Sequence, residues 1–326
     1  METIPINVES GIPLMGAIQF GIIPRSNNSM VQVRATTVCN LKCSFCSTCA
    51  NESLVHPVHF VVDPDYLVQW FEHVAKLKGT AIEANIDSVG EPTAHPKLLE
   101  LITKLHDSTH CSFISMQTNG SLLNESMIKK LEENGLNRIN LSIHSLDETL
   151  SKKLMGNPAY DIKHVLSMAR IISTSSIELT LAPVLIPGIN ENDMPKIIEL
   201  SKELKSTIGI QKYEVYRHSR RIPKVKPETY WRFYERLKNW EKEFKIKLRL
   251  RKEDYKIKKT QELPLTFQKG DRVAAKIVCP GWYPSEMIGV AKERCITIRN
   301  CTNQKGDIVN VRIKENSDHI YLGELV

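Results

Sequence analysis

Cys39-Asn-Leu-Lys-Cys43-Ser-Phe-Cys46 is the stretch on which the reading of this chain turns. It follows residues 30–36 (MVQVRAT), where apolar and polar side chains alternate as in a strand. Three thiolates on a short loop can each take one iron of a cubane and leave the fourth iron open. The same stretch admits a rival chemistry. Cys43, Cys46 and Cys49 are also spaced by three, so a zinc loop could use Cys49 as fourth ligand.

Outward from this loop the chain repeats one theme. Asp63-Pro64 reads as an N-cap with proline at the first helical position, and Leu67, Val68, Phe71, Val74, Ala75 and Leu77 then recur at helical spacing. Strand 81–89 precedes helix 96–106, strand 111–117 precedes helix 124–134, and strand 138–143 precedes helix 162–173. Strand 178–185 precedes helix 193–204, and strand 210–216 precedes helix 228–244. Six β-then-α units in succession imply a parallel sheet with helices outside it, either an open doubly wound sheet or a partial barrel. Ligand sites of both architectures lie at the carboxyl ends of the strands. Residues 246–250 read as a further strand, and 251–263 as a charged connector. From Phe267 onward five short alternating runs (272–278, 287–291, 295–298, 308–313, 320–325) predict a small β-barrel.

The whole chain bounds these readings. Its 326 residues allow one large core and a small appended domain, and 41% hydrophobic with 25% charged residues is ordinary for a globular protein. No apolar run approaches the ~20 residues that span a bilayer. Met1 to Ser10 lack the pattern of a secretory signal, which points to the cytosol. Eight cysteines there are ligands, reactive thiols or core residues rather than a disulfide framework. The net charge of +7 is uneven: residues 212–272 hold twenty Lys/Arg against nine Asp/Glu. Such a block suits a polyanion, nucleic acid first, although a solvated helix face is the bland alternative.

The cysteine loop resembles that of the radical S-adenosylmethionine (radical SAM) superfamily, with its CxxxCxxC spacing after strand one and an aromatic residue, Phe45, before the last cysteine. The resemblance implies a [4Fe–4S] cluster on Cys39, Cys43 and Cys46, whose open iron binds S-adenosylmethionine. One electron then yields a 5′-deoxyadenosyl radical. Four further stretches carry the likeness, each at a predicted strand end. Ser88-Val-Gly90-Glu91-Pro92 resembles the family's "GGE" motif, with Val89 in place of its first glycine. Gln117-Thr-Asn119-Gly120, Asn140-Leu-Ser142-Ile-His144 and Leu185-Ile-Pro187-Gly188-Ile-Asn190 follow on the next three strands. The cofactor pocket so implied uses Phe45, Gly90, Glu91, Pro92, Asn119, Ser142 and Ile186. His144 and Tyr213 are the candidates for a catalytic role. The fold implied is α/β, a partial (β/α)6 barrel with a small C-terminal all-β barrel.

That barrel resembles a TRAM domain, of the OB-like kind attached to several RNA-modifying enzymes. Lys269-Gly270-Asp271-Arg272-Val273, Gly289-Val-Ala291, Lys305-Gly306-Asp307-Ile-Val309 and Tyr321-Leu-Gly323-Glu324-Leu325 carry the likeness. It departs from the pattern around Cys279-Pro-Gly281-Trp282-Tyr283-Pro284. Radical SAM enzymes with such a barrel include tRNA methylthiotransferases, which carry three more cysteines in an N-terminal domain. The 29 residues before strand one hold no cysteine, which puts that reaction in doubt. Cys279, Cys295 and Cys301 read as buried core thiols. The chain looks most like uncharacterised radical SAM/TRAM proteins of archaeal type.

The domains expected are 1–29 as an N-terminal segment, 30–245 as the radical SAM core, 246–266 as a basic connector and 267–326 as the barrel. Arg217, Arg220, Arg221, Lys224 and Lys226 are the expected RNA contacts, with Tyr213, Tyr216, Tyr230, Trp231 and Tyr234 interleaved. The alternative for Tyr230, Trp231 and Tyr234 is packing of the last helix onto the sheet. The expected activity is RNA modification, tRNA first, with a small iron–sulfur or flavin protein as electron donor and no membrane partner. Two rivals stand beside it: a radical SAM enzyme acting on a peptide or small metabolite, and a non-catalytic RNA-binding protein with a structural metal loop.

Overall fold

Asp63 caps the first helix, as its place before Pro64 implies. Its carboxylate accepts from the backbone N–H groups of Asp65 (3.0 Å) and Tyr66 (3.3 Å). Helix α1 (Pro64–Lys78) then ends at Gly79 with φ 71°, and Leu67, Phe71, Val74 and Ala75 form its buried stripe. The computed structural model describes residues 3–25 and 27–326. Met1, Glu2 and Ser26, within the expected N-terminal segment, lie outside the described residues.

In chain order the strands begin with β1 (Ile4–Val8), β2 (Gly21–Ile23), β3 (Met30–Arg34), β4 (Val58–Val62), β5 (Ile82–Ile86) and β6 (Cys111–Thr118). They continue with β7 (Arg138–Leu141), β8 (Glu178–Leu181), β9 (Val184–Leu185), β10 (Thr207–Ile208) and β11 (Gln211–Lys212). The last five are β12 (Arg272–Pro280), β13 (Glu286–Ala291), β14 (Arg294–Arg299), β15 (Ile308–Glu315) and β16 (Leu322–Leu325). After α1 come α2 (Leu98–Asp107), α3 (Glu125–Glu133), α4 (Glu148–Met155), α5 (Ile162–Thr174), α6 (Met194–Glu203) and α7 (Tyr230–Phe244).

These elements form two compact units: Met1–Val38 with Asn51–Ile114 and Ile257–Val326, and Cys39–Ala50 with Ser115–Lys256. In the first, β3 pairs in parallel with β5 and antiparallel with β2, while β1 and β4 form a separate parallel pair. The same unit contains the closed barrel, in the order β12-β13-β14-β16-β15. Phe267, Ala275, Ile277, Ile296, Ile298, Val311, Ile313 and Tyr321 fill it. The barrel is bonded to the N-terminal segment rather than appended to the chain's end. Backbone N–H groups of Cys295 and Tyr321 donate to the carbonyls of Met15 (2.8 Å) and Gly16 (2.9 Å). Gly16 has φ 110°, and a Cβ there would lie 2.1 Å from the Cys295 carbonyl oxygen, so only glycine fits.

In the second unit the parallel pairs are β6–β7, β7–β8 and β8–β10, with β9–β11 as a short separate pair. Several sequence expectations need correction here. Strand 178–185 is interrupted between β8 and β9 at Ala182-Pro183, where proline has no N–H for a ladder. Strand 210–216 is realised only as β11, and helix α4, which the sequence reading omitted, is capped by the Asp147 carboxylate (2.7 Å to the Leu150 N–H). Residues 246–250 are not a strand. The N–H groups of Leu248 and Arg249 donate to the Glu241 carboxylate instead, both at 2.8 Å.

Candidate functional site

Loop 39–50 is held from two sides within its own unit. At the end of α4, Ser44 donates its N–H to the Leu154 carbonyl (2.8 Å), and Gly156 passes so close to Lys42 that a Cβ would lie 2.0 Å from its carbonyl oxygen. On the other side Arg220 donates its two terminal nitrogens to the carbonyls of Cys43 (2.8 Å) and Ala50 (3.0 Å), and its backbone N–H to that of Cys46 (2.8 Å). Ser219 Oγ donates to the Ser47 carbonyl at 3.0 Å. Arg220, expected on the RNA face, is therefore a brace of the cysteine loop. Nothing in its sequence neighbourhood marks it apart from Arg217 and Arg221.

Cys39, Cys43 and Cys46 are half-buried and none is in a disulfide, whereas Cys49 is buried. Cys43 Sγ lies 3.9 Å from Met155 Sδ, and Cys46 Sγ accepts from the Ala50 N–H (3.4 Å). Burial pushes the Cys43 thiol well up, the neighbouring Cys46 and Cys39 push it further, and Arg220 opposes them. Metal binding is what ionises thiols held this way.

The strand ends of this unit are stapled by amide side chains. Asn119 donates to Asn40 Oδ1 (3.0 Å) and accepts from Ser121, while Asn40 donates to Ser121 Oγ (2.8 Å). Asn119, expected in the cofactor pocket, thus pins the residue after Cys39. Asn190, which closes the stretch quoted after strand 178–185 but had no expected role, is a second staple. It is buried, donates to the carbonyls of His144 (2.7 Å) and Val184 (2.9 Å), and accepts from the Ile186 N–H (2.8 Å). Ile186 is buried and Ser142 is half-buried. His144 accepts from the Val184 N–H (3.0 Å) and meets Phe45 edge-on at 4.6 Å, and burial pulls its pKa down to about 4. It is neutral and structural at neutral pH. Tyr213 is 1% exposed and its hydroxyl accepts from the Ile222 N–H (3.4 Å), so this second catalytic candidate is a core residue.

In the first unit, the turn after β5 brings Gly90 against Thr37 and Val38. A Cβ on Gly90 would lie 2.1 Å from the Val38 carbonyl oxygen, which accepts from the Glu91 N–H at 2.7 Å. Glu91 does not offer its carboxylate freely. It caps the one-turn 3-10 helix Pro92–Ala94, accepting from the N–H (3.1 Å) and hydroxyl (2.7 Å) of Thr93. Ser88 supplies the polar atom the sequence reading passed over: its hydroxyl is buried without a hydrogen-bond partner. Buried hydroxyls are nearly always bonded, so an orphan at the end of a parallel strand marks a place for a bound polar group.

These residues suit a cluster and its nucleotide-like partner. Among the described residues no three His, Cys, Asp or Glu side chains converge as ligands of a single ion. In the second unit the three loop thiols fit the irons of a cluster; in the first, the orphaned Ser88 hydroxyl and the close backbone approach at Gly90 fit a bound polar group.

Comparison with known proteins agrees. The Radical SAM superfamily model matches residues 33–201. An uncharacterised protein of Methanocaldococcus jannaschii, MJ0103, is 37% identical across 98% of this chain and 80% of its own length. The GTP 3′,8-cyclase of Aquifex aeolicus is 27% identical over 56% of each chain, so the match spans about half of that enzyme. Two solved structures share the fold. Streptococcus suis SuiB bound to S-adenosylmethionine has a TM-score of 0.53 at 17% identity, over 71% of this chain and 50% of SuiB. A radical SAM methyltransferase from Sphaerobacter thermophilus has a TM-score of 0.53 at 16% identity, over 68% of this chain and 65% of the enzyme. The chain belongs to the radical SAM superfamily, with a small closed five-stranded barrel at its C-terminal end. Its cofactors are S-adenosylmethionine and a [4Fe–4S] cluster.

The expected RNA contacts divide. Arg217, Arg221, Lys224 and Lys226 are exposed, and Arg220 is not among them. Phe233 and Leu237 pack α7 inward, which leaves Tyr230, Trp231 and Tyr234 outside at 60%, 72% and 49% exposure, and Tyr216, ahead of α7, is 60% exposed. The packing alternative for those α7 aromatics is overturned.

Proposed function

We propose that this radical SAM enzyme modifies RNA, with tRNA the first candidate, and that Cys39, Cys43 and Cys46 hold its cluster. The domains proposed are the core at 30–245 and a TRAM-like barrel from 267. The observation that carries the substrate reading is the exposure of Tyr216, Tyr230, Trp231 and Tyr234 in the same stretch of chain as the exposed Arg217, Arg221, Lys224 and Lys226. Large flat rings left in water among cations match what an unpaired nucleic-acid strand stacks on and is neutralised by. A cation pair on the barrel adds support: Arg272 and Arg312 stand directly opposite each other on β12 and β15. Like charges in that register destabilise a sheet unless an anion lies over them.

When bound, the cluster and S-adenosylmethionine supply a 5′-deoxyadenosyl radical by one-electron cleavage of the sulfonium. The chain's own residues do the rest. In the second unit Ser142 offers a hydroxyl to the cofactor and Ile186 an apolar surface; in the first, Ser88 offers a hydroxyl to a bound polar group and the Gly90 turn a backbone that no side chain obstructs. Phe45, buried against His144, excludes water behind the loop. A small iron–sulfur or flavin protein is the electron donor we propose. No helix among the described residues is long and apolar enough to cross a membrane.

Binding of fluorescent tRNA tests the substrate. Trp231→Ala should weaken it roughly 5- to 100-fold, since one stacked base contributes about 1–3 kcal/mol. Replacing Arg217 and Arg221 by Ala should flatten the log–log salt slope by about one to two units. A flat salt dependence of the unaltered protein would sink the RNA reading and leave a peptide or small metabolite as substrate.

A further inference from the structure

Four carbonyls of the cysteine loop, those of Cys43, Cys46, Ser47 and Ala50, are bonded from just two residues, Ser219 and Arg220. Two of them belong to cysteines proposed as cluster ligands. The loop does not hold this shape from local preference alone, because Cys49 sits in the left-handed region at φ 56°, a conformation a non-glycine residue keeps only when its surroundings impose it. Arg220 brings a charged side chain onto the loop's backbone, and it is half-buried, where charge is less screened than at the surface. Its flat fork reaches two carbonyls seven residues apart in sequence, which a lysine ammonium on a flexible stem does not reproduce.

We propose that Arg220 is a positioning residue of the cluster: its fork fixes the geometry of loop 43–50, and its charge stabilises the reduced, more negative cluster. The inference rests on the ligand assignment above but not on the RNA reading. It separates two contributions that substitution can pull apart. Lysine keeps the charge and loses the fork, whereas glutamine loses both the charge and most of the fork.

The test uses full-length, anaerobically reconstituted protein carrying Arg220→Gln or Arg220→Lys. Iron content, iron loss to a chelator and the reduced fraction in an EPR-monitored redox titration are read. Both variants should load iron, since the three thiols remain, and both should lose it to the chelator several-fold faster. At the potential that half-reduces the unaltered protein, the reduced-to-oxidised ratio should fall about tenfold in Arg220→Gln, a midpoint ~59 mV more negative. In Arg220→Lys that ratio should stay near the unaltered value. An unchanged ratio in Arg220→Gln, or equal shifts in both variants, would overturn the electrostatic role. Unchanged iron loss in both would overturn the fork. An unaltered protein that binds no four-iron cluster would instead remove the ligand assignment itself.

Discussion

Two sets of three cysteines occupy this chain, and the fold treats them in opposite ways. Cys39, Cys43 and Cys46 are half-buried on a loop whose carbonyls are tied down by hydrogen bonds. Cys279, Cys295 and Cys301 are buried in and around the barrel. Burial pushes Cys279 up to about 12 and Cys295 well up, and the Cys295 thiol donates to the Pro13 carbonyl at 3.0 Å. Burial raises Cys43 as well, so placement rather than burial sets the two groups apart: the first three share one short loop, the other three lie on separate parts of the barrel. A thiol walled by apolar side chains stays a neutral core group, while thiols on a braced loop can be ionised by iron.

The largest expected effect tests this contrast head-on. Alanine at Cys39, Cys43 or Cys46 should abolish cluster binding, so that iron falls from about four per chain to near zero and S-adenosylmethionine cleavage is lost. Cys301→Ala and Cys49→Ala should keep both. Iron loss in Cys49→Ala equal to that of its neighbours would restore the zinc loop and break the comparison.

A second effect concerns the floor of the loop. His144 is buried beside Phe45 with its pKa lowered to about 4 from 6.5 by desolvation. The unfolded chain then binds the proton that the folded chain refuses. Stability from this group is full above about pH 6.5 and is lost as pH falls toward 4, by up to about 3 kcal/mol. Denaturant unfolding between pH 7.5 and 4.5 should show the loss, and His144→Gln should flatten it. An equal slope in the variant would assign the acid sensitivity elsewhere.

Smaller again is the cofactor effect. Ser88→Ala and Ser142→Ala should each weaken S-adenosylmethionine binding about ten- to hundredfold at unchanged iron content, because a hydrogen bond to a charged group contributes about 1.5–3 kcal/mol. Calorimetric titration of the reconstituted protein reads it. Retained affinity in both would mean that the two hydroxyls face something else. Smallest is Cys295→Ala, which should cost about 1–2 kcal/mol of stability with the cluster intact. A loss of iron in that variant would show that the two sets of thiols are not independent.

The sequence reading reached furthest where the information is local. Asp63-Pro64 marked the start of α1 because a cap acts over three residues, and the alternating runs after Phe267 marked the barrel because strand alternation has a period of two. It failed where hydrogen bonding is not local. Glu91, expected at the cofactor, is the N-cap of Pro92–Ala94, a role decided by how the turn after β5 closes on Thr93. Residues 1–29 read as a separate segment, yet Met15 and Gly16 accept from the N–H groups of Cys295 and Tyr321 in the barrel.

By itself the sequence determined that three thiols stand on one short loop behind a strand, in a chain of alternating strands and helices. Spacing of that kind is a property of covalent distance and helical or strand period, and needs no tertiary contact. Tertiary structure alone decided what braces those thiols. Arg217, Arg220 and Arg221 are chemically identical and nearly adjacent, but only Arg220 meets the loop carbonyls, 170 and 177 residues away. A long cationic side chain bonds whichever carbonyls the folded chain presents to it, and which ones those are is settled only when both segments are in place.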